Sequence, residues 1–164
     1  MNEAMIKNWN DTVKEGDIVY FLGDWAFGKG SRPAKYWMDR VQGHIKAIRG
    51  SHDPIDKSLK MLEFDELIYK GTRFLLIHSP DPDDPKLTKK QKSKLEGWHG
   101  WIIHGHKHNN DLKAYPFING ERKTINVSAE LINYHPLNIE KLLSLCVESI
   151  KRMETINNKP ERWQ

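Results

Sequence analysis

Residues 102–108 read I-I-H-G-H-K-H, an apolar start followed by three histidines within five positions. The two isoleucines are typical of a β-strand, and Gly105 permits a sharp turn directly after it. Histidines behind a strand can bind a metal ion, but they can equally be ordinary polar residues in water. Other motifs of the sequence are needed to distinguish between these two interpretations.

Composition indicates one globular domain spanning residues 1–164. Hydrophobic residues make up 38% and charged residues 29% of the chain, and the net charge is +4. No apolar run approaches the roughly 20 residues that a membrane-spanning helix needs, and the N-terminus lacks a secretory signal pattern. The single cysteine, Cys146, lies in an apolar helical pattern. We therefore expect a buried thiol, no internal disulfide and a reducing cytoplasm.

The positive charge is mild and spread along the chain. Its densest run, Lys86–Lys94, is better explained as a solvated face than as a nucleic-acid patch. The charge is compatible with an anionic substrate but does not require one.

Strands alternate with helices, which predicts an α/β fold. Helical patterns cover residues 2–13, 31–43 with Ser31 as N-cap, 54–64 and 137–153. Predicted strands cover Ile18–Leu22, His44–Arg49, Glu66–Lys70, Arg73–His78, Trp101–His104 and Thr124–Val127. Residues 79–97 are predicted to form a loop with a helical turn, and about ten residues at the C-terminus are expected to fray.

Four of the predicted strands end in acidic or histidine residues. These clusters are Gly23-Asp24, Gly50-Ser51-His52-Asp53, His78 and Gly105-His106-Lys107-His108. Ligands of open α/β sheets collect outside the carboxyl ends of the strands, so the four clusters should converge. Asp and neutral His are ligands for Mn²⁺, Fe²⁺ or Zn²⁺, and paired divalent ions can hydrolyse phosphate esters.

The ordered motifs resemble the calcineurin-like metallophosphoesterases. They are G-D, then G-S-H-D where the family has G-N-H-D, then an apolar strand ending H-S-P, then G-H-x-H. The stretches V-Y-F-L-G-D-W-A-F-G and T-I-N-V-S-A-E-L-I-N-Y-H-P are similar to a small prokaryotic and phage branch of that family. The similarity extends from about Met5 to Leu142.

This resemblance implies a four-layer α/β/β/α sandwich with a two-metal site. Asp24 would bridge the ions, His78 and His106 would bind the second, and His108 would bind the first. Ser51 occupies the position of the family's asparagine ligand. His52 would contact the phosphate and act as general acid. The implied cofactors are one or two divalent ions, Mn²⁺ foremost, with Zn²⁺, Fe²⁺ or Ni²⁺ as alternatives.

The sequence departs from the family pattern in two places. It contains no Asp-x-His, the motif that ends the family's first strand and binds the first metal. The hydroxyl of Ser51 is also shorter and poorer as a ligand than an amide oxygen. We therefore expect the second ion to be favoured. A sheet that lacks this strand should expose unpaired backbone groups, which another segment, a rearranged sheet or a homo-oligomer would cover.

Two functions follow from these observations. The first is a metal-dependent phosphoesterase acting on a phosphomonoester or phosphodiester, with residues 79–97 as the segment that sets its substrate. The second is a catalytically degenerate member of the family that binds a protein or nucleic-acid partner. We expect His104 to be a structural residue of its strand or a hydrogen-bond donor behind the ligands, and Asp53 to accept a hydrogen bond that holds its loop.

Overall fold

A computed structural model describes residues 3–54, 59–145 and 150–156. The four α-helices are α1 (Glu3–Thr12), α2 (Ala34–Met38), α3 (Lys89–Glu96) and α4 (Ile139–Ser144), with a 3₁₀ helix at Ala129–Ile132. The strands are β1 (Ile18–Phe21), β2 (His44–Ala47), β3 (Phe64–Tyr69), β4 (Thr72–Ile77), β5 (Trp101–His104), β6 (Ile118–Asn119), β7 (Thr124–Asn126) and β8 (Arg152–Met153).

The strands form two sheets. In the smaller sheet β1 pairs with β2 in parallel, from Ile18 opposite His44 to Phe21 opposite Ala47. The larger sheet has the order β3-β4-β5-β7-β6-β8. Within it, β4, β5 and β7 are parallel neighbours, so their carboxyl ends lie at one edge. That edge is where the sequence places its histidines.

The alternation of side chains along the strands divides the core into layers. In β4, Phe74 and Leu76 face the small sheet and pack in a cluster with Leu22 and Ile48. Leu75 and Ile77 point the other way and pack with Leu95 of α3. On the far side of the small sheet, β1 and β2 pack against a cluster formed by Ile6, Trp9, Val13, Trp25, Ala34 and Trp37. The order is therefore helix, sheet, sheet, helix, and the predicted α/β sandwich is confirmed.

The predicted hairpin is also present, with β3 and β4 antiparallel. Lys70 (φ 47°) and Gly71 (φ 82°) both adopt left-handed backbone conformations at the turn. This geometry matches the two-residue turns whose twist suits a hairpin.

Several predicted boundaries were wrong. Pro33, not Ser31, is the N-cap of α2, and the Ser31 hydroxyl donates to the Arg32 carbonyl instead. Pro33 fits this position because its fixed φ (−55°) is compatible with the extended ψ (151°) of an N-cap residue. The same helix ends at Met38 rather than at Gly43.

The C-terminal prediction was wrong in a different way. Helix α4 ends at Ser144, and Arg152–Met153 forms a strand because it pairs with β6. The segment between β4 and β5 contains two turns of helix, α3, which begins with a capping box between Thr88 and Gln91. In the segment predicted as helix 54–64, Leu62 bridges Ile48 in extended conformation. Residues 55–58, Cys146 and the C-terminal residues 157–164 lie outside the described residues.

Within the described ranges, β1 pairs only with β2, which leaves its second edge without a strand. Ile18 on this strand is 62% exposed. Among the described residues, an unpaired sheet edge therefore occurs at β1.

Candidate metal centre

Three of the predicted metal ligands meet where the strands end. Asp24 follows β1, His78 follows β4, and His106 follows β5. Each contributes one ligand atom to a group in which all these atoms lie within 4.8 Å of one another. The Nε2 atom of His78 is 3.3 Å from Oδ2 of Asp24, and the rings of His78 and His106 are 4.7 Å apart between centroids. We call these three residues the triad.

The backbone at the triad is strained. Asp24 (φ 62°) and His106 (φ 64°) both adopt the left-handed conformation, which is uncommon for residues other than glycine. Such conformations persist only where the surrounding structure imposes them, and they cluster at functional sites. The strained backbone thus agrees with a site formed by these two side chains.

Two glycines allow the loops after β1 and β2 to touch. A Cβ on Gly50 would lie 2.2 Å from both the backbone nitrogen and Oδ1 of Asp24. A Cβ on Gly23 would lie 2.5 Å from the Cα of Gly50 and 2.6 Å from Nδ1 of His78. Neither position has room for any side chain, so the two glycines bring Asp24 close to His78.

Asp53 ties the same two loops together. Its Oδ2 accepts from the N–H groups of Asp24 (2.7 Å) and Gly50 (2.9 Å), and its Oδ1 accepts from that of Trp25 (2.8 Å). The carboxylate is buried. This is the loop-holding contact predicted for Asp53.

His78 is oriented as a ligand would be. Its Nδ1–H donates to the Leu22 carbonyl at 2.6 Å, which leaves Nε2 as the ring nitrogen that faces Asp24. That Nε2 is buried and has no hydrogen-bond partner, although it faces Asp24. A buried polar atom without a partner is costly unless something binds it, and a divalent ion between His78 and Asp24 would do so. The residues present therefore fit a metal ion.

The pKa shifts of Asp24 and His106 favour cation binding, whereas that of His78 opposes it. Burial opposes ionisation of Asp24, but contacts with the His78 ring and the His52 N–H outweigh it and lower the pKa of Asp24. Burial, together with the charge of His78, lowers the pKa of His106 and so favours the neutral form of that ring. Burial alone would lower the pKa of His78, but the neighbouring Asp24 carboxylate raises the pKa of that ring overall.

The remaining predicted site residues lie around the triad rather than in it. His108 does not belong to the group of three; its side chain is 52% exposed, and Nδ1 lies 3.0 Å from Oε1 of Glu130. The Ser51 hydroxyl is buried without a hydrogen-bond partner. His52 is exposed, its N–H donates to Oδ1 of Asp24 at 2.8 Å, and its ring contacts Phe27 edge-on at 4.3 Å.

Two contacts at this site had no counterpart in the sequence prediction. Oδ2 of Asp84 lies 3.3 Å from Nε2 of His106, and the Asp84 side chain is only 8% exposed. Glu130 faces His108 from the 3₁₀ helix. Asp84 belongs to an acidic loop and Glu130 to a short helix. Neither segment has a periodic sequence pattern from which these two acids could be identified as site residues.

The comparison with protein families decides the assignment. A family model described as the calcineurin-like phosphoesterase superfamily domain matches residues 2–127. The chain belongs to this superfamily. The match includes Asp24, His78, His106 and His108, and membership implies phosphate-ester substrates and divalent metal ions.

Two proteins similar to this calcineurin-like domain are themselves of unassigned function. An uncharacterized protein of Methanocaldococcus jannaschii is 42% identical over 159 residues, covering 96% of this chain and 81% of that protein. A crystal structure of a protein of unknown function from Aquifex aeolicus is similar with a TM-score of 0.64 and 24% identity. The similarity covers 87% of this chain and 83% of that one, and it supports the fold alone. In the described part of the chain, no helix is long and apolar enough to cross a membrane.

Proposed function

We propose that this chain is a metal-dependent phosphoesterase that hydrolyses a phosphomonoester or phosphodiester. The observation that carries the proposal is the triad, in which an anionic carboxylate and two histidines from three strand ends lie within 4.8 Å of one another. Three protein ligands with open positions are typical of catalytic rather than structural metal sites. A divalent ion there, Mn²⁺ foremost, would supply Lewis-acid activation of water and neutralise charge on the phosphoryl group.

The chain's own residues would share the remaining tasks. Asp24 and His78 form the buried wall of the site, where His78 is held by the Leu22 carbonyl. His52 stands at the exposed side, and its backbone N–H fixes Asp24. Its ring is exposed and packs edge-on against Phe27, and we assign it the role of general acid and phosphate contact.

Activity assays test this proposal directly. Chelator-stripped protein should hydrolyse p-nitrophenyl phosphate or its bis ester only after Mn²⁺ is restored. Asp24→Asn should reduce the rate by about 100-fold or more, because loss of a ligand should exceed the effect of losing an outer contact. His99→Gln changes an exposed histidine and should leave the rate unchanged. Equal activity in Asp24→Asn and the parent would contradict the proposal.

The second candidate is a degenerate member of the family that serves as a binding module for a protein or a nucleic acid. The observation that favours it is Ser51, whose short hydroxyl stands where the family has an amide ligand. This second candidate function predicts no Mn²⁺-dependent hydrolysis in the parent protein or in Ser51→Asn. Strong activity gained by Ser51→Asn would contradict this alternative and support a weakened catalytic site.

Two further expectations accompany the proposal. Self-association would cover the free edge of β1, and sedimentation velocity would detect it. Residence in a reducing cytoplasm remains a prediction from the single cysteine.

A further inference from the structure

The segment that leaves β7, N-V-S-A-E at residues 126–130, surrounds His108. Neither the triad nor the proposed chemistry uses these residues. Asn126, Ser128 and Glu130, which alternate along the segment, all contact His108. We call these three residues the clasp.

The first two members of the clasp hold the backbone of His108. The His108 N–H donates to the Ser128 hydroxyl at 3.1 Å, and its carbonyl accepts from Nδ2 of Asn126 at 3.1 Å. Ser128 in turn donates to Oδ1 of Asn126 at 2.7 Å. Asn126 is fully buried and Ser128 nearly so. These hydrogen bonds hold His108 in a left-handed conformation, φ 48°.

The third member holds the ring. Oε1 of Glu130 accepts from Nδ1–H of His108 at 3.0 Å. A carboxylate at Nδ1 keeps the proton there, so Nε2 carries the free lone pair. The His108 side chain that carries this nitrogen is half-exposed.

An isolated surface pair of His and Glu would contribute little to stability. The clasp contains more than such a pair, because a fully buried amide and a buried hydroxyl hold the backbone of one exposed histidine. Carboxylates in contact with ligand histidines fix the tautomer and raise the basicity of the ring.

We propose that the clasp positions His108 as a metal ligand, with Glu130 fixing the Nδ1–H tautomer so that Nε2 is free to bind a divalent ion. The inference rests on the proposed function for its ion. Asn126, Ser128 and Glu130 are positioning residues and do not themselves contact the ion or the substrate.

The tautomer can be measured without any metal. Long-range ¹H–¹⁵N spectra of chelator-stripped protein at pH 8, with His108→Gln used for assignment, should show His108 in the Nδ1–H form. Glu130→Ala should shift the ring toward the Nε2–H form, whereas Glu130→Gln keeps an acceptor oxygen and should retain Nδ1–H. An Nε2–H ring in the parent, or no change in Glu130→Ala, would overturn the proposal.

A Mn²⁺ titration provides the second readout. Glu130→Ala should weaken the binding that depends on His108 by about 10- to 100-fold. In Glu130→Ala, the Mn²⁺ affinity that depends on His78 should not change. The matched control Glu121→Ala alters an exposed acid and should change neither the His78-dependent nor the His108-dependent affinity. Unaltered His108-dependent binding in Glu130→Ala would contradict the role of the clasp. If the protein instead lacked all phosphatase activity, the proposed function would fail while the tautomer result would still stand.

Discussion

The buried carboxylate of Asp53 accepts a hydrogen bond from the Asp24 backbone N–H at 2.7 Å and holds this residue in place. The Asp24 side chain is thereby directed toward His78, with Nε2 of that ring 3.3 Å from Oδ2 of Asp24. The same carboxylate also binds Gly50 and Trp25, so one side chain connects the loops that follow β1 and β2. The position of the candidate metal ligand therefore depends on a residue that does not belong to the triad.

Asp53→Ala should destabilise the protein substantially. It removes three hydrogen bonds to backbone N–H groups and leaves those donors in a buried environment. We expect a loss of about 3–5 kcal/mol in the free energy of unfolding, measured by urea denaturation. Asp39→Ala removes an exposed acid paired with Lys35 and should cost no more than about 0.5 kcal/mol. Similar losses in the two variants would contradict the role given to Asp53.

Gly50→Ala should weaken metal binding. The new methyl group would lie 2.2 Å from both the backbone nitrogen and Oδ1 of Asp24, so the Asp24 carboxylate has to shift from its position beside His78. Calorimetric titration with Mn²⁺ should show an affinity lower by about 10-fold or more. Loss of a hydrogen bond behind a metal ligand already lowers metal affinity by that factor. Gly16→Ala is the control, because a methyl group there meets no atom within 4 Å. Equal Mn²⁺ affinity in both variants would show that the close approach is unimportant.

His104 should make the metal-free protein sensitive to acid. Complete burial lowers the pKa of this ring from 6.5 to about 4. Between those values the unfolded chain binds the proton and the folded chain does not, so stability rises with pH across this window and is lost on acidification. The single group accounts for about 3 kcal/mol between its two limits.

Urea denaturation at several pH values in the presence of chelator measures this effect. His104→Phe, which cannot titrate, should show a weaker pH dependence between pH 6.5 and 4 than the parent. An unchanged dependence would mean that another group is responsible.

The triad could be found from the sequence because its signal is local. Each apolar run, such as F-L-L-I before His78, marks a strand, and the parallel arrangement brings the strand ends together. Asp24 follows a strand of the other sheet, so its grouping with His78 and His106 was implied by the family resemblance rather than by the order of elements. Their role as metal ligands remains a prediction that binding measurements must test.

Other features depend on tertiary contacts and could not be predicted in this way. Arg152–Met153 is extended only because β6 lies beside it, although the preceding apolar pattern is helical. Asp84 reaches His106 because the acidic loop folds back over the end of β5. Pairing and loop closure of this kind leave no periodic pattern in the sequence.

The most direct test of the account is the metal content of the chain and its dependence on the triad. Chelator-stripped protein is titrated with Mn²⁺ by calorimetry, and bound ions are counted by mass spectrometry in the parent, His78→Ala, His106→Ala and the control His99→Ala. We expect at least one ion per chain in the parent and the control, and affinity weaker by about 100-fold or more in both triad variants. An absence of binding at micromolar Mn²⁺ in the parent, or binding that persists unchanged in His78→Ala and His106→Ala, would contradict the account.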